Sequence, residues 1–419
     1  MASAGSPRSN FRRIVILIVV MSVSCTVLML DSTEEVEVIT QVPSVRQPRP
    51  SGRRASRSAV IPAASTDVIR RATANATISA LTRLPSVAEE GFASLSTFDC
   101  KTASHLGSRV LPLGSSWGVS VACHIPRGSD VVCDALQKSG DYEPELSRLL
   151  LKAVGHYRSN PGETPLVFLD VGSNVGVMAL AVWKRGISVV AVDVMERNTA
   201  LLSYSTRCVN DALWEKNIQQ RLEMHIHRVA LGGPVSGGES KCAVLVEEDN
   251  LGDGRLECDS NIIRQLTSRR SGMPESYVVE SWVHLASLDS FVQNCSLLSA
   301  VDAPPPIVVM KIDAEGSEIR ILSNGRQWLL DASRRPKVLL MEMWGSLDAA
   351  DVHRFGAMMI GDMSYIGLVV DVKARKPTVL SSPNALLDWQ RSIGGKGKMG
   401  SVVWVVPEVF EIARQWLSW

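Results

Sequence analysis

Between Pro165 and Asp193 the chain reads PLVFLDVGSNVGVMALAVWKRGISVVAVD. An apolar run from Leu166 ends in Asp170, and a glycine-bearing turn follows from Val171 to Gly176. The apolar stretch Val177 to Trp183 reads as a helix. A second, β-branched run from Ile187 to Val192 ends in Asp193. The pattern predicts a strand, turn, helix and strand, with an acid closing each strand. Units of this kind bind nucleotide-like ligands at the carboxyl ends of parallel strands.

The flanking patterns extend the same alternation. Upstream, Val119 to Ile125 predicts a strand. Gly140-Asp-Tyr-Glu-Pro144 predicts a turn that starts a helix with proline in its first turn. That helix carries Leu146, Leu149, Leu150 and Val154 on one face. Downstream, Asn198 to Ala212 is helical in pattern, and Leu222 to Ala230 alternates as a third strand. Residues 232 to 280 read as a glycine-rich, irregular insertion with a candidate β-ribbon at Ala243 to Glu247. A fourth strand, Ile307 to Ile312, ends at Asp313-Ala-Glu-Gly316, and a helix is expected from Ser317 to Leu330. A fifth strand at Val338 to Met343, a helix at Leu347 to Ile360 and late strands at Tyr365 to Val372 and Val402 to Val406 complete the series. The expectation is a doubly wound α/β fold: a mostly parallel, seven-stranded Rossmann-like sheet with a terminal antiparallel strand.

The ends read differently. Ile14 to Leu30 is 17 residues without a charge, preceded by Arg8, Arg12 and Arg13 and followed by Asp31, Glu34, Glu35 and Glu37. This predicts a short, uncleaved signal anchor with its arginines on the cytoplasmic side. A short span suits the thin bilayers of the endoplasmic reticulum or Golgi, with the rest of the chain in the lumen. Residues 31 to 95, rich in Ser, Ala, Arg and Pro, read as a flexible stem. The expected organisation is therefore a tail at 1–13, an anchor at 14–30, a stem at 31–95, an extension at 96–164, a catalytic domain at 165–408 and a tail at 409–419. A lumenal location makes the sequons at Asn75 and Asn294 usable. It also permits up to three disulfides among Cys100, Cys123, Cys133, Cys208, Cys242, Cys258 and Cys295. None of these forms a C-x-x-C pair, which makes zinc and redox readings poor; Asp, Glu and His are all available to a metal, but no ligand spacing demands one.

Charge narrows the ligand. The chain holds 44 basic and 43 acidic side chains, so no global basic field points to nucleic acid. The turn spaces its glycines as G-x-x-x-G rather than G-x-G-x-x-G, and Asp170 immediately before them would repel a pyrophosphate. A ligand with a cationic amino-acid end suits Asp170. Gly172 allows close backbone approach, Gly176 allows helix packing, and Asp193 can bind ribose hydroxyls. Together these point to S-adenosylmethionine rather than a nicotinamide dinucleotide.

FLDVGSNVG, VVAVD, His227-Arg-Val-Ala-Leu-Gly232 and VMKIDAEGSEIRIL at 309 to 322 are similar to the FkbM-type methyltransferases. Gly140 to Pro144, Met341-Glu-Met343 and Val402 to Pro407 are similar as well, so the resemblance covers about residues 130 to 408. Asp193 stands where that family commonly carries Glu, and the 232–280 segment is a departure. The resemblance implies a class I, S-adenosylmethionine-dependent O-methyltransferase acting on hydroxyls of a glycan or small molecule. It implies that Glu143, Ser173 and Asn174 join Asp170, Gly172, Gly176 and Asp193 around the donor. A carboxylate near the acceptor can remove its proton. Asp313 and Glu315 are the candidates, with Lys311 as the orienting charge and Glu342, an acid in an apolar strand, near the acceptor pocket. His225 and His227 read as structural or solvent-facing. Two rival readings are a type II glycosyltransferase, whose usual Asp-x-Asp motif is missing here, and a non-catalytic binding module on the same fold.

Overall fold

The computed structural model describes residues 15–21, 24–30, 100, 108–114, 117–124, 130–159, 166–233, 241–247, 250–268, 277–299, 306–371, 377–394 and 398–417. The chain divides into two compact units, Met1–Ile69 and Arg70–Trp419. In the first, β1 (Val15–Met21) and β2 (Ser24–Leu30) pair antiparallel. The membrane anchor was expected at 14–30; the described residues of that run, 15–21 and 24–30, are extended, and the run is rich in β-branched apolar residues, which suit a strand. Among the described residues no helix is long and apolar enough to cross a membrane. The 1–13 tail, the 31–95 stem and the Asn75 sequon lie outside the described residues.

The second unit begins with β3 (Arg109–Pro112) and β4 (Ser120–Cys123), an antiparallel pair. Helices α1 (Val131–Ser139) and α2 (Pro144–Ser159) follow. Proline opens α2, because its missing N–H is one of the four that a first turn leaves unpaired. The expected central unit is present as β5 (Val167–Val171), α3 (Val177–Trp183) and β6 (Ser188–Asp193). Every residue of these three elements is buried, as a strand covered on both faces requires.

Next come α4 (Glu196–Tyr204), a π-helical turn at Ser205–Val209 and α5 (Asp211–Gln219). The single helix expected at 198–212 is thus split. Ser205 Oγ donates to Leu201 O and accepts from Ala122 N, so the turn that interrupts the helix also anchors β4. Strands β7 (Met224–Arg228) and β8 (Ala230–Leu231) end this part.

The 232–280 segment is more ordered than its composition suggested. Strands β9 (Lys241–Glu247), β10 (Asn250–Glu257) and β11 (Tyr277–Ala286) form a four-stranded sheet with β8, ordered β10-β9-β11-β8. Helix α6 (Ser260–Thr267) is capped by Asp259, and the Cys242–Cys258 disulfide ties β9 to the end of β10. Helix α7 (Leu288–Asn294), β12 (Ile307–Ile312), α8 (Glu318–Ser323) and α9 (Arg326–Leu330) follow. The helix expected at 317–330 breaks at Asn324-Gly325, where Asn324 Nδ2 reaches both Arg320 O and Gly232 O. Then come β13 (Val338–Trp344), α10 (Ala349–Gly356), β14 (Ile366–Val369) and β15 (Val379–Leu380). Helix α11 (Pro383–Ile393), unforeseen between the late strands, has Ser382 as its N-cap. Strand β16 (Met399–Val405) precedes α12 (Phe410–Trp416), which the expected 409–419 tail forms. Trp416 is buried, and its carbonyl accepts from Lys152 Nζ at 2.7 Å.

The main sheet has eight strands in the order β15-β14-β16-β13-β12-β5-β6-β7. From β13 to β7 all neighbours are parallel, and β16 enters antiparallel between β13 and β14. The antiparallel closing strand was expected; β15 adds the eighth. Helix α1 carries Cys133, bridged to Cys123 on β4, and Cys100 is bridged to Cys208 on the π-helical turn. Six of the seven cysteines weighed above are paired, and Cys295 is buried and unbridged.

Candidate active site

Strands β5 and β12 lie side by side at the middle of the sheet. From β5 the chain proceeds outward through β6 and β7; from β12 it proceeds the other way to β13. This is the topological switch point, and the crevice at its carboxyl ends is where α/β sheets bind ligands. A cavity of about 300 Å³ occupies that place. Asp170, Gly172, Ser173, Asn174 and Asp193 line it from the β5–β6 side, and Lys311, Asp313 and Glu315 line it from β12. Tyr142, Trp344, Met399 and, from the inserted sheet, Gly252 and Gly254 complete the wall.

Gly172 has φ 75°, and a Cβ there would lie 1.6 Å from the backbone oxygen of Asp313. A side chain would therefore separate the two strand ends that build the site. Gly176 lines a different contact: its Cβ would meet Leu202 at 2.1 Å, so it seats α4 rather than a ligand.

Asp170 and Lys311 face each other as register partners on β5 and β12. Asp170 is 1% exposed, and among the described residues no hydrogen-bond donor meets either carboxylate oxygen in good geometry. Its nearest cation, Lys311 Nζ, is 3.8 Å away. Burial pushes the Asp170 carboxyl up to about 7, with Asp313 and Asp193 adding to the rise; the Lys311 charge and the Ala179 amide pull the other way. Lys311 donates to Gly172 O and Asp313 Oδ2, both at 3.0 Å. Burial alone would lower its pKa, but the charges of Asp313, Asp170 and Glu143 outweigh it and hold the ammonium form. The hydroxyl of Ser173 is likewise buried without a hydrogen-bond partner among the described residues.

Asp193 is organised differently. Its Oδ2 accepts from Asn174 N at 2.8 Å, and its Oδ1 accepts from Met195 N at 2.8 Å and Asn198 Nδ2 at 3.4 Å. Burial raises its pKa and these three donors oppose the rise. Asn174, at φ 50°, and Asn198 each donate a side-chain N–H to Gly252 O at 3.1 Å. The insertion therefore closes over the β6 end through a backbone carbonyl.

The other candidates separate into distinct places. β12 ends at Ile312, so Asp313 and Glu315 do not share a strand face; Glu315 sits in the following turn at φ 49°. The acid that shapes this turn is Glu318, whose Oε1 accepts from Ala314 N at 2.8 Å and Gly316 N at 3.0 Å. Glu143, expected beside the donor, instead joins Asp313 and Glu342, with carboxylate oxygens of the three within 4.8 Å of one another. Burial, reinforced by Asp313 and Glu143, pushes Glu342 up to about 9. Burial also raises Glu143. Asn198, Glu318, Tyr142 and Trp344 were not anticipated. The second glutamate of the Lys311–Glu318 block signalled Glu318, and Tyr142 lies in the Gly140–Pro144 stretch noted above; nothing in the sequence marked Asn198 or Trp344.

No protein-family model matches the sequence, and no curated protein matches it. Among solved structures, the bifunctional kinase-methyltransferase WbdD aligns at 10% identity and a TM-score of 0.29, covering 74% of this chain and 46% of that one. The chain thus spans about half the length of WbdD. A METTL16 methyltransferase domain aligns at 10% identity and 0.29, covering 74% and 99%. The hMettl16 catalytic domain, solved with an RNA hairpin, aligns at 12% and 0.27, covering 70% and 77%. Scores this low do not establish a shared fold. The chain's own strand order and site geometry carry the functional reading.

Proposed function

We propose that the chain is an S-adenosylmethionine-dependent methyltransferase that modifies a hydroxyl of a glycan or small secreted molecule. The observation that carries this reading is the pair of acids at the ends of β5 and β6. Asp170 is buried, open and unsatisfied, and Asp193 is preorganised by three donors. A ligand with an ammonium at one end and a ribose at the other fits that pair. A pyrophosphate does not, because Asp170 would oppose it.

When bound, the donor supplies a methyl already activated by positive sulfur, so the protein's task is alignment and exclusion of water. Asp170 and Ser173 hold the amino-acid end, and Asp193 holds the ribose. Asp313 accepts the proton of the acceptor hydroxyl as general base. Lys311 fixes the Asp313 carboxylate from 3.0 Å. Glu342 holds its proton at neutral pH and, against Glu143, shields Asp313 from a third full negative charge. Glu315, on the turn beyond, faces the acceptor.

We place the catalytic unit in the secretory lumen, anchored through residues 14–30. Three disulfides support this, since such bonds persist in oxidising compartments. The test is transfer of a deuterium-labelled methyl group to a panel of glycans by the purified full chain. Labelled product from the wild type but not from Asp313→Asn is expected. Equal labelling by both would remove Asp313 from its role.

A further inference from the structure

We propose that His225, His227 and Cys295 form a binding site for a zinc ion, separate from the cavity at the switch point. His225 and His227 alternate along β7, the edge strand of the main sheet, and so share a face. Cys295 is the residue that ends α7, 68 positions from His227, and it packs back onto that face. One ligand atom from each of the three residues lies within 4.8 Å of the others.

The distances suit a bridging ion. His227 Nε2 and Cys295 Sγ are 3.7 Å apart. With Zn–S near 2.3 Å and Zn–N near 2.0–2.1 Å, tetrahedral geometry separates N and S by about 3.5 Å. Two imidazoles and one thiolate form a donor set that zinc favours and magnesium and calcium do not. The surroundings hold these groups as ligating histidines are usually held. Glu223 Oε2 lies 2.5 Å from His225 Nε2. A carboxylate only accepts, so Nε2 carries the hydrogen and Nδ1 keeps its lone pair. Phe291 packs edge-on against the His227 ring at 5.4 Å between centroids and fixes its plane. His225 is a quarter exposed, leaving room for a water to complete the coordination.

The cysteine pattern agrees. Of the seven cysteines beyond residue 30, six are bridged, and the one left out of a disulfide, Cys295, is the one placed beside two imidazoles. Bound zinc would tie the edge strand to α7. Two residues after His227, Val229 N donates to Asp193 O, so that strand end supports the acid of the β6 turn.

The experiment is metal uptake by the full chain, purified without a histidine tag, stripped with chelator and titrated with cobalt(II) as a spectroscopic stand-in for zinc. One equivalent should bind with a near-ultraviolet thiolate-to-cobalt charge-transfer band, and zinc should displace it. Cys295→Ala should abolish that band, and His225→Ala should weaken uptake at least tenfold. The wild-type spectrum decides independently of whether the variants fold. Failure of the folded wild type to take up cobalt or zinc would overturn the site, as would binding without a thiolate band. Uptake of copper(I) with refusal of zinc would overturn the assignment of the metal.

Discussion

Two aspartates close adjacent strands of one sheet, and the protein treats them in opposite ways. At the end of β6, Asp193 is surrounded by the donors of Asn174, Met195 and Asn198. At the end of β5, Asp170 is more deeply buried, and among the described residues no donor meets its oxygens in good geometry; the Ala179 amide and Lys311, 3.8 Å away, are what oppose its burial. A buried carboxylate without donors is costly and is normally avoided. The difference teaches that the protein itself orients the carboxylate at the β6 end before a ligand arrives, whereas the β5 end is completed by a ligand. Its cost is borne in the free protein, and a cation recovers it on binding.

The largest effect should come from removing the charge that Asp170 relies on. Lys311→Met leaves Asp170 and Asp313 without their common partner, and breaking a buried pair costs about 3–5 kcal/mol. Chemical denaturation should show that loss growing above pH 7, because below it Asp170 can take up a proton. A loss independent of pH would break the comparison. Next, Asp170→Asn should weaken S-adenosylhomocysteine binding about 10- to 100-fold, corresponding to the roughly 1.5–3 kcal/mol of a hydrogen bond to a charged group, with the melting temperature unchanged or raised. Asp193→Asn should do the reverse in part: calorimetry should show about 1–2 kcal/mol of lost stability as the Asn174 and Met195 amides lose a full carboxylate. Equal behaviour of the two variants would mean that both acids are structural.

Smaller effects follow from pH. The Asp170 carboxyl sits near 7 rather than its ordinary 3.8, so it ionises as pH rises through 7. Affinity for a ligand with a protonated amine should increase over that interval, and Asp170→Asn should flatten the profile. Glu342 is raised from 4.5 to about 9. A folded-state pKa above the unfolded one gives stability that is full below pH 4.5 and is lost as pH rises through 9. Glu342→Gln should therefore make stability less dependent on pH between those limits, as thermal melts across the range would record.

Much of this site was legible in the sequence because its residues sit where apolar runs stop. Asp170 and Asp193 stand within the last residues of β5 and β6, and Asp313 directly follows β12, strands whose burial on both faces demands a hydrophobic run. That made the strand ends, and so the acids, easy to locate. Contacts made across sequence were not legible. Glu143 is far along the chain from Asp313 and Glu342, and only the fold brings the three carboxyls together. Composition misled in the 232–280 segment, where glycines suggested irregularity. There they are packing devices: a Cβ at Gly252 would strike the Asp130 carboxylate at 2.6 Å, and one at Gly254 would strike Met195 at 2.4 Å. Strand β10 is thus pressed onto the site. Helix α11 escaped notice because its few buried residues, Leu386 and Gln390, leave only a thin apolar stripe.

Calorimetric titration of the full chain with S-adenosylhomocysteine at pH 8 tests the central claim most directly. The account predicts one ligand per chain, with affinity that falls at least tenfold in Asp170→Asn. A folded wild-type protein that releases no heat and shows no ligand-induced rise in melting temperature would contradict it.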